Sequence, residues 1–265
     1  MKPHRHLCYY LFGLIGLLLL PFFSARAMAA PDATQFSVEP ATIHMDAFYD
    51  GTKLVATGTV PEGSQAVLRF IGNACELHMK RKGKIFGLLW MNRDSLTFNG
   101  LPNLCIISSA VNLSELKGQE PGAGGLGGYK LSGLKEGADI EPNDADSAEA
   151  FEEFIRLKQN EGLYRETVGN VAYEPGDAGF KKFRAEIPVP SRMSPGQYTV
   201  ELAAIKDGSI IAKSSRPVTA DLVGFPALLA GLAFGRPALY GILASIIAII
   251  SGLLIGMVFQ SKGAH

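Results

Sequence analysis

The sequence predicts a mainly β chain: an immunoglobulin-like antiparallel sandwich, or two of them, with one amphipathic helix and one C-terminal transmembrane helix. Three observations predict it. Short segments alternating apolar and polar residues, separated by turn residues, fill Phe36 to Val111 and resume from Asn170 to Ala220. One stretch between them carries apolar residues at helical spacing, and Pro237 to Phe259 is 23 residues without a charge.

Residues 1–29 have the three parts of a secretory signal. Lys2 and Arg5 precede an apolar run from Leu7 to Phe23, and small residues follow at Ala25/Ala27 and Ala27/Ala29 in A-x-A spacing. An uncleaved first anchor is the competing reading, because the run approaches the lower limit for a span. Pro21 ends the run before the processing site, which favours cleavage. Cleavage removes Lys2, Arg5 and Arg26 and no acid, leaving 22 basic residues (25 less those three) against 25 acidic, a charge of about −3. A slightly acidic exported chain is not built for nucleic acid.

Residues 30–113 form the first β region. TIHMDAF, KLVATGTV, QAVLRFI, CELHMKR, KIFGLLW and LCIISSAV read as strands, and DG, PEG, GN, KG and NGLPN as the turns between them. The disulfide and tryptophan spacing of immunoglobulin domains is not reproduced. Residues 114–143 are glycine-rich, then acidic, without periodicity, and read as a loop. GAGGLGG within it lacks the flanking strand and helix of a nucleotide-binding turn.

Residues 144–221 hold a helix and then strands. Asp146 and Glu149 stand at capping-box spacing, and Phe151, Phe154, Ile155 and Leu157 share one face of a helix of three to four turns. The acids Asp139, Glu141, Asp144, Asp146 and Glu149 lack the glycine and spacing of a calcium loop and suit a helix start. NVAYEP, FKKFRAEIPVP, GQYTVELAAI and SIIAKSSRPVTA return to the β pattern, completing the first sandwich or forming a second.

Residues 222–236 are apolar but too short to span and read as an interfacial segment. Residues 237–259 are the transmembrane helix: at about 1.5 Å per residue it reaches roughly 34 Å, enough for a core of about 30 Å. Arg236 and Lys262 mark the two interfaces, and 260–265 is a cytoplasmic tail. Ala244, Ala248, Gly252 and Gly256 recur every four residues and offer a strip where another helix can approach closely. The expected partners are the membrane itself and either an integral membrane partner or a second copy.

Catalytic chemistry has little to work with. After processing the histidines are His44, His78 and His265, and no G-x-S-x-G, H-E-x-x-H, C-x-x-C or Walker pattern is present. No cofactor signature appears, and the expectation is a non-enzymatic protein. Cys75 and Cys105 are a disulfide candidate closing about 30 residues, worth roughly 3 to 4 kcal/mol in the chain-entropy model. Unpaired buried thiols are the second reading. A copper site drawing on Cys75, Cys105, His44 and His78, with neighbouring methionines, is the third. It meets an obstacle: on a strand, His44 and Met45, like His78 and Met79, point to opposite faces.

Lys80, Arg81, Lys82 and Lys84 crowd into HMKRKGKIFGLLWMN. A hairpin turning at Lys82-Gly83 would gather these cations at its tip, either as a solvated basic turn or as a contact for anionic headgroups, an acidic partner or a small oxyanion. Trp90, about seven residues and roughly 23 Å along the strand from that turn, would then belong to the core.

RKGKIFGLLWMNRDSLTFNGLP, GLYRE, IPVPSRMSPGQYTVELAAIKDG and an anchor beginning GRPALYG resemble the transmembrane family Alph_Pro_TM. The likeness runs from about Phe36 onward. It implies an exported domain on one C-terminal anchor, no assigned activity, and an association with TauE/SafE-type permeases. Cys75 and Cys105 are not part of the family pattern. Together these readings give a single-pass protein of the bacterial inner membrane, its bulk periplasmic and its C-terminus cytoplasmic, that assists a transporter. A periplasmic copper-handling or thiol redox protein is the alternative.

Overall fold

The computed structural model describes residues 35–85, 88–113, 126–142, 147–176 and 179–260. The signal segment, Asp144, Asp146, most of GAGGLGG and Lys262 lie outside these residues, as do the side chains of Arg81 and Trp90.

Alternation becomes strand from the first described residues: β1 (Phe36–Glu39), β2 (Thr42–Met45), β3 (Thr52–Pro61) and β4 (Gln65–Gly72). β5 (Ala74–Ile85) and β6 (Leu89–Pro102) are longer, and β7 (Cys105–Ser109) and β8 (Asp139–Glu141) follow. Helix α1 (Ser147–Asn160) leads to β9 (Tyr164–Val168), β10 (Val171–Pro175), β11 (Phe180–Val189), β12 (Gly196–Lys206) and β13 (Ser209–Leu222). Two apolar helices, α2 (Gly224–Gly235) and α3 (Pro237–Gln260), end the described chain.

Two sheets make the sandwich. One has the order β1-β3-β11-β10 and the other β2-β13-β12-β4-β7-β9. Strands from before and after residues 114–143 pair with one another in both sheets, side by side in the smaller and interleaved in the larger. Pairing is antiparallel except at the margins of the larger sheet, where β2 joins β13 and β9 joins β7 in parallel. The facing surfaces are apolar: Leu54, Ala56, Ala185 and Ile187 from the smaller sheet share one core with Leu68, Phe70, Val200 and Leu202 from the larger. Tyr173 ties the two sheets at one edge, accepting from the Ala66 N–H at 2.8 Å and donating to Gln65 Oε1 at 2.9 Å. Asp207 and Gly208 both have positive φ, the conformation that a two-residue hairpin matched to strand twist requires, and they join β12 to β13.

The larger sheet is covered on its outer face as well, which explains why every residue of β7 is buried. Phe154 of α1 stacks on Phe98 of β6 at 4.7 Å and meets Tyr164 of β9 edge-on at 5.8 Å. Phe151, Phe154 and Ile155 are buried as the helical spacing predicts, whereas Leu157 is 40% exposed and falls off that face. The expected loop is partly ordered structure. Leu126–Tyr129 and Leu131–Gly137 are 3-10 turns, and β8 pairs with β6. Polar contacts dock this segment: Arg69 Nη1 donates to the Gly128 carbonyl, and the Leu131 N–H donates to Glu166 Oε1 at 2.6 Å.

Candidate functional site

The cations of the opening β region sit on a ribbon longer than the sequence suggests. β5 pairs with β6 through Lys84↔Trp90 and Ile85↔Leu89, with Leu88 in the turn. The turn therefore does not lie at Lys82-Gly83. A two-residue turn there would set Arg81 opposite Lys84, a like-charge pair across the strands, which is unfavourable. The observed register puts Asp94 opposite Arg81, Asn92 opposite Lys82 and Trp90 opposite Lys84, with an irregularity between Arg81 and Lys82. Trp90 consequently belongs to the backbone of the tip, one residue beyond Leu89, and is not seven residues away from it.

Lys80, Lys82 and Lys84 occupy alternate positions of β5 and are exposed. Alternate positions share a face, and directly paired residues do too. Met91 and Leu89, paired with Gly83 and Ile85, therefore take the opposite face. Leu88, Leu89 and Met91 are 86, 64 and 51% exposed. The tip is thus amphipathic, one face cationic and the other apolar. The apolar half escaped sequence reading because IFGLLW resembles a core strand.

The cysteine and histidine candidates scatter. His44 on β2 and Cys105 on β7 are four strand intervals apart in the larger sheet, about 19 Å at about 4.8 Å per interval. His78 contacts Glu76 Oε1 at 3.4 Å and Thr97 Oγ1 at 3.2 Å on the exposed surface of β5. Among the described residues no three of His, Cys, Asp and Glu converge as metal ligands.

Both thiols are unbonded and lie towards the same covered region, near Tyr164. Burial pushes Cys105 up to about 12, and burial also raises the half-buried Cys75, whose Sγ lies 3.7 Å from the Leu101 carbonyl. A thiol held protonated is a poor nucleophile and a poor metal ligand.

Arg69 has the best-defined polar surroundings. Its Nε and Nη2 donate to Glu201 Oε2 at 2.9 and 2.6 Å, and its guanidinium lies 4.9 Å from the Tyr129 ring centroid. A cleft of about 280 Å³ opens beside it, lined also by Lys213, Ser214 and Ser215. Glu201, Gly128 and Tyr129 already engage the guanidinium, so it serves to fasten the 3-10 segment to the sheet.

Helix α3 contains a span from Pro237 to Phe259 that is long and apolar enough to cross a membrane. Ala244, Ala248, Gly252 and Gly256 lie along it at four-residue spacing. Beyond the helix's own backbone, nothing in the described chain comes within 4 Å of where a side chain at Gly252 or Gly256 would begin. The model of the family described as Putative transmembrane protein (Alph_Pro_TM) matches residues 34–261. The chain belongs to this family. The match takes in both the sandwich and the apolar helix, as expected of a membrane-anchored member. No curated protein and no solved structure matches the chain.

Proposed function

We propose that this family member is a non-enzymatic accessory protein that assists a membrane transporter, its sandwich held on the periplasmic side of the inner membrane by α3. The C-terminus then lies in the cytoplasm, and a TauE/SafE-type permease is the partner that the family resemblance suggests. The observation that carries the reading is the strip Ala244, Ala248, Gly252 and Gly256, which meets nothing else within the described chain at its two glycines. Small residues at this spacing let a second helix approach to backbone contact, where dispersion and weak hydrogen bonds drive association in lipid. A β domain on such an anchor gives the partner a surface outside the membrane without requiring a reaction centre.

The test is a crosslinked pull-down of the full chain from detergent-solubilised membranes, beside a variant carrying Gly252→Leu and Gly256→Leu. A permease recovered with the native anchor and lost with the variant supports the accessory role. Recovery of this chain alone, or of the same proteins with both anchors, removes it.

A further inference from the structure

We propose that the tip of the β5–β6 hairpin is a lipid-binding element that docks on an anionic phospholipid surface, with Leu88, Leu89 and Met91 entering the headgroup–acyl boundary and Lys80, Lys82 and Lys84 meeting the phosphates. This rests on the membrane anchoring of the chain and is independent of the transporter role.

The occupant follows from where the hairpin is rooted. Along the larger sheet Gly72, the last residue of β4, is level with Tyr198 of β12, which is level with Val218 of β13. β4 thus ends, and the hairpin begins, at the same end of the sheet where β13 runs out through Leu222 into α2 and α3. The Val223 N–H donates to the Met45 carbonyl of β2 at 3.0 Å, fixing that exit to the sheet. Only β12 separates β4 from β13, so hairpin root and anchor exit are about 10 Å apart. β5 has 12 residues and spans about 40 Å, against about 18 Å for the 12 residues of α2. The hairpin is long enough to reach the surface in which α3 is embedded.

The chemistry of the tip selects that surface. Exposed Leu88, Leu89 and Met91 form an apolar patch at the end of a ribbon whose other face carries a row of lysines. In water such a patch is a liability, whereas at a bilayer the apolar face is buried and long lysine stems carry their charge to the headgroups. Phosphatidylglycerol-type headgroups complement the three cations, each lysine near such a surface strengthening binding about fivefold.

Trp90 is the chain's sole tryptophan, so its fluorescence reports on the tip alone. The full chain is placed in nanodiscs of phosphatidylcholine, or of equal parts phosphatidylcholine and phosphatidylglycerol, each with brominated acyl chains as quencher. Strong quenching in the phosphatidylglycerol discs, weak quenching in phosphatidylcholine, and weakening by salt are expected. Lys80→Glu with Lys82→Glu should reduce quenching to the phosphatidylcholine level, and Leu88→Asp with Leu89→Asp should abolish it, with the thermal transition of the sandwich unchanged. Equal quenching in both lipids overturns the proposal. So does absence of quenching in phosphatidylglycerol, or quenching that appears only when another membrane protein is present in the disc. The lipid comparison needs no mutation, so it stands even if a variant misfolds.

Discussion

Val200, Leu202 and Ala204 on β12 have no exposure to water, whereas Leu88, Leu89 and Met91 at the β5–β6 tip are mostly exposed, and the apolar residues of α3 are exposed along its length. The residue types are similar and the outcomes opposite. In the sandwich, apolar side chains find partners within the chain and determine its fold. Among the described residues those at the hairpin tip and along the anchor stay largely exposed, a surface suited to lipid or another protein. The larger sheet sharpens the contrast: its outer face is closed by the chain's own α1 and 3-10 segment, which also cover Phe98 in the body of the hairpin, while Leu88, Leu89 and Met91 at its tip stay exposed.

The comparison breaks most visibly if the cover over that sheet is dispensable. Phe154→Ala removes a fully buried ring stacked on Phe98 and edge-on to Tyr164 and should cost about 3 to 5 kcal/mol in chemical unfolding. Glu201→Ala leaves the Arg69 guanidinium half-paired in a part-buried site. It should cost about 1 to 3 kcal/mol, below the range for a fully buried pair, and should expose residues 126–137 to limited proteolysis. Tyr164→Phe deletes the 2.6 Å bond donated to the Pro102 carbonyl, for a loss of about 1 kcal/mol. Leu88→Asp should change unfolding by less than about 0.5 kcal/mol, because the side chain it replaces is exposed. A large loss there would mean that the tip is part of the fold.

The thiols separate the regions by chemistry. Iodoacetamide at mildly alkaline pH should label Cys75 well before Cys105 in the folded chain, followed by mass spectrometry. Protection of both until a reductant is added would reveal a disulfide instead. Because burial raises Cys105 in the folded state to about 12, its stabilising contribution is complete below the unfolded pKa near 8.5. It declines as pH rises from there towards about 12. Cys105→Ala should flatten that alkaline part of the stability profile.

What could be read from the sequence was whatever local periodicity governs. β11 alternates as its residues alternate, and the helical spacing of Phe151, Phe154 and Ile155 places α1 correctly. Long-range pairing was not legible: nothing near Arg69 announces Glu201, and nothing in GLGGYKLSGL announces docking on β4. The hairpin turn was misplaced for a related reason. Lys82-Gly83 is good turn chemistry, but cross-strand charge and the pairing of Ile85 with Leu89 determine the register. That one shift places the backbone of Trp90 at the tip and leaves an apolar surface on the face opposite the lysines.

Hydrogen–deuterium exchange of the full chain in phosphatidylglycerol-containing and phosphatidylcholine nanodiscs tests the division most directly. The account predicts equal protection of β12 and β4 in both lipids and new protection of residues 88–91 only in the anionic discs. Unchanged exchange at the tip, or protection that shifts across the whole sandwich, would contradict it.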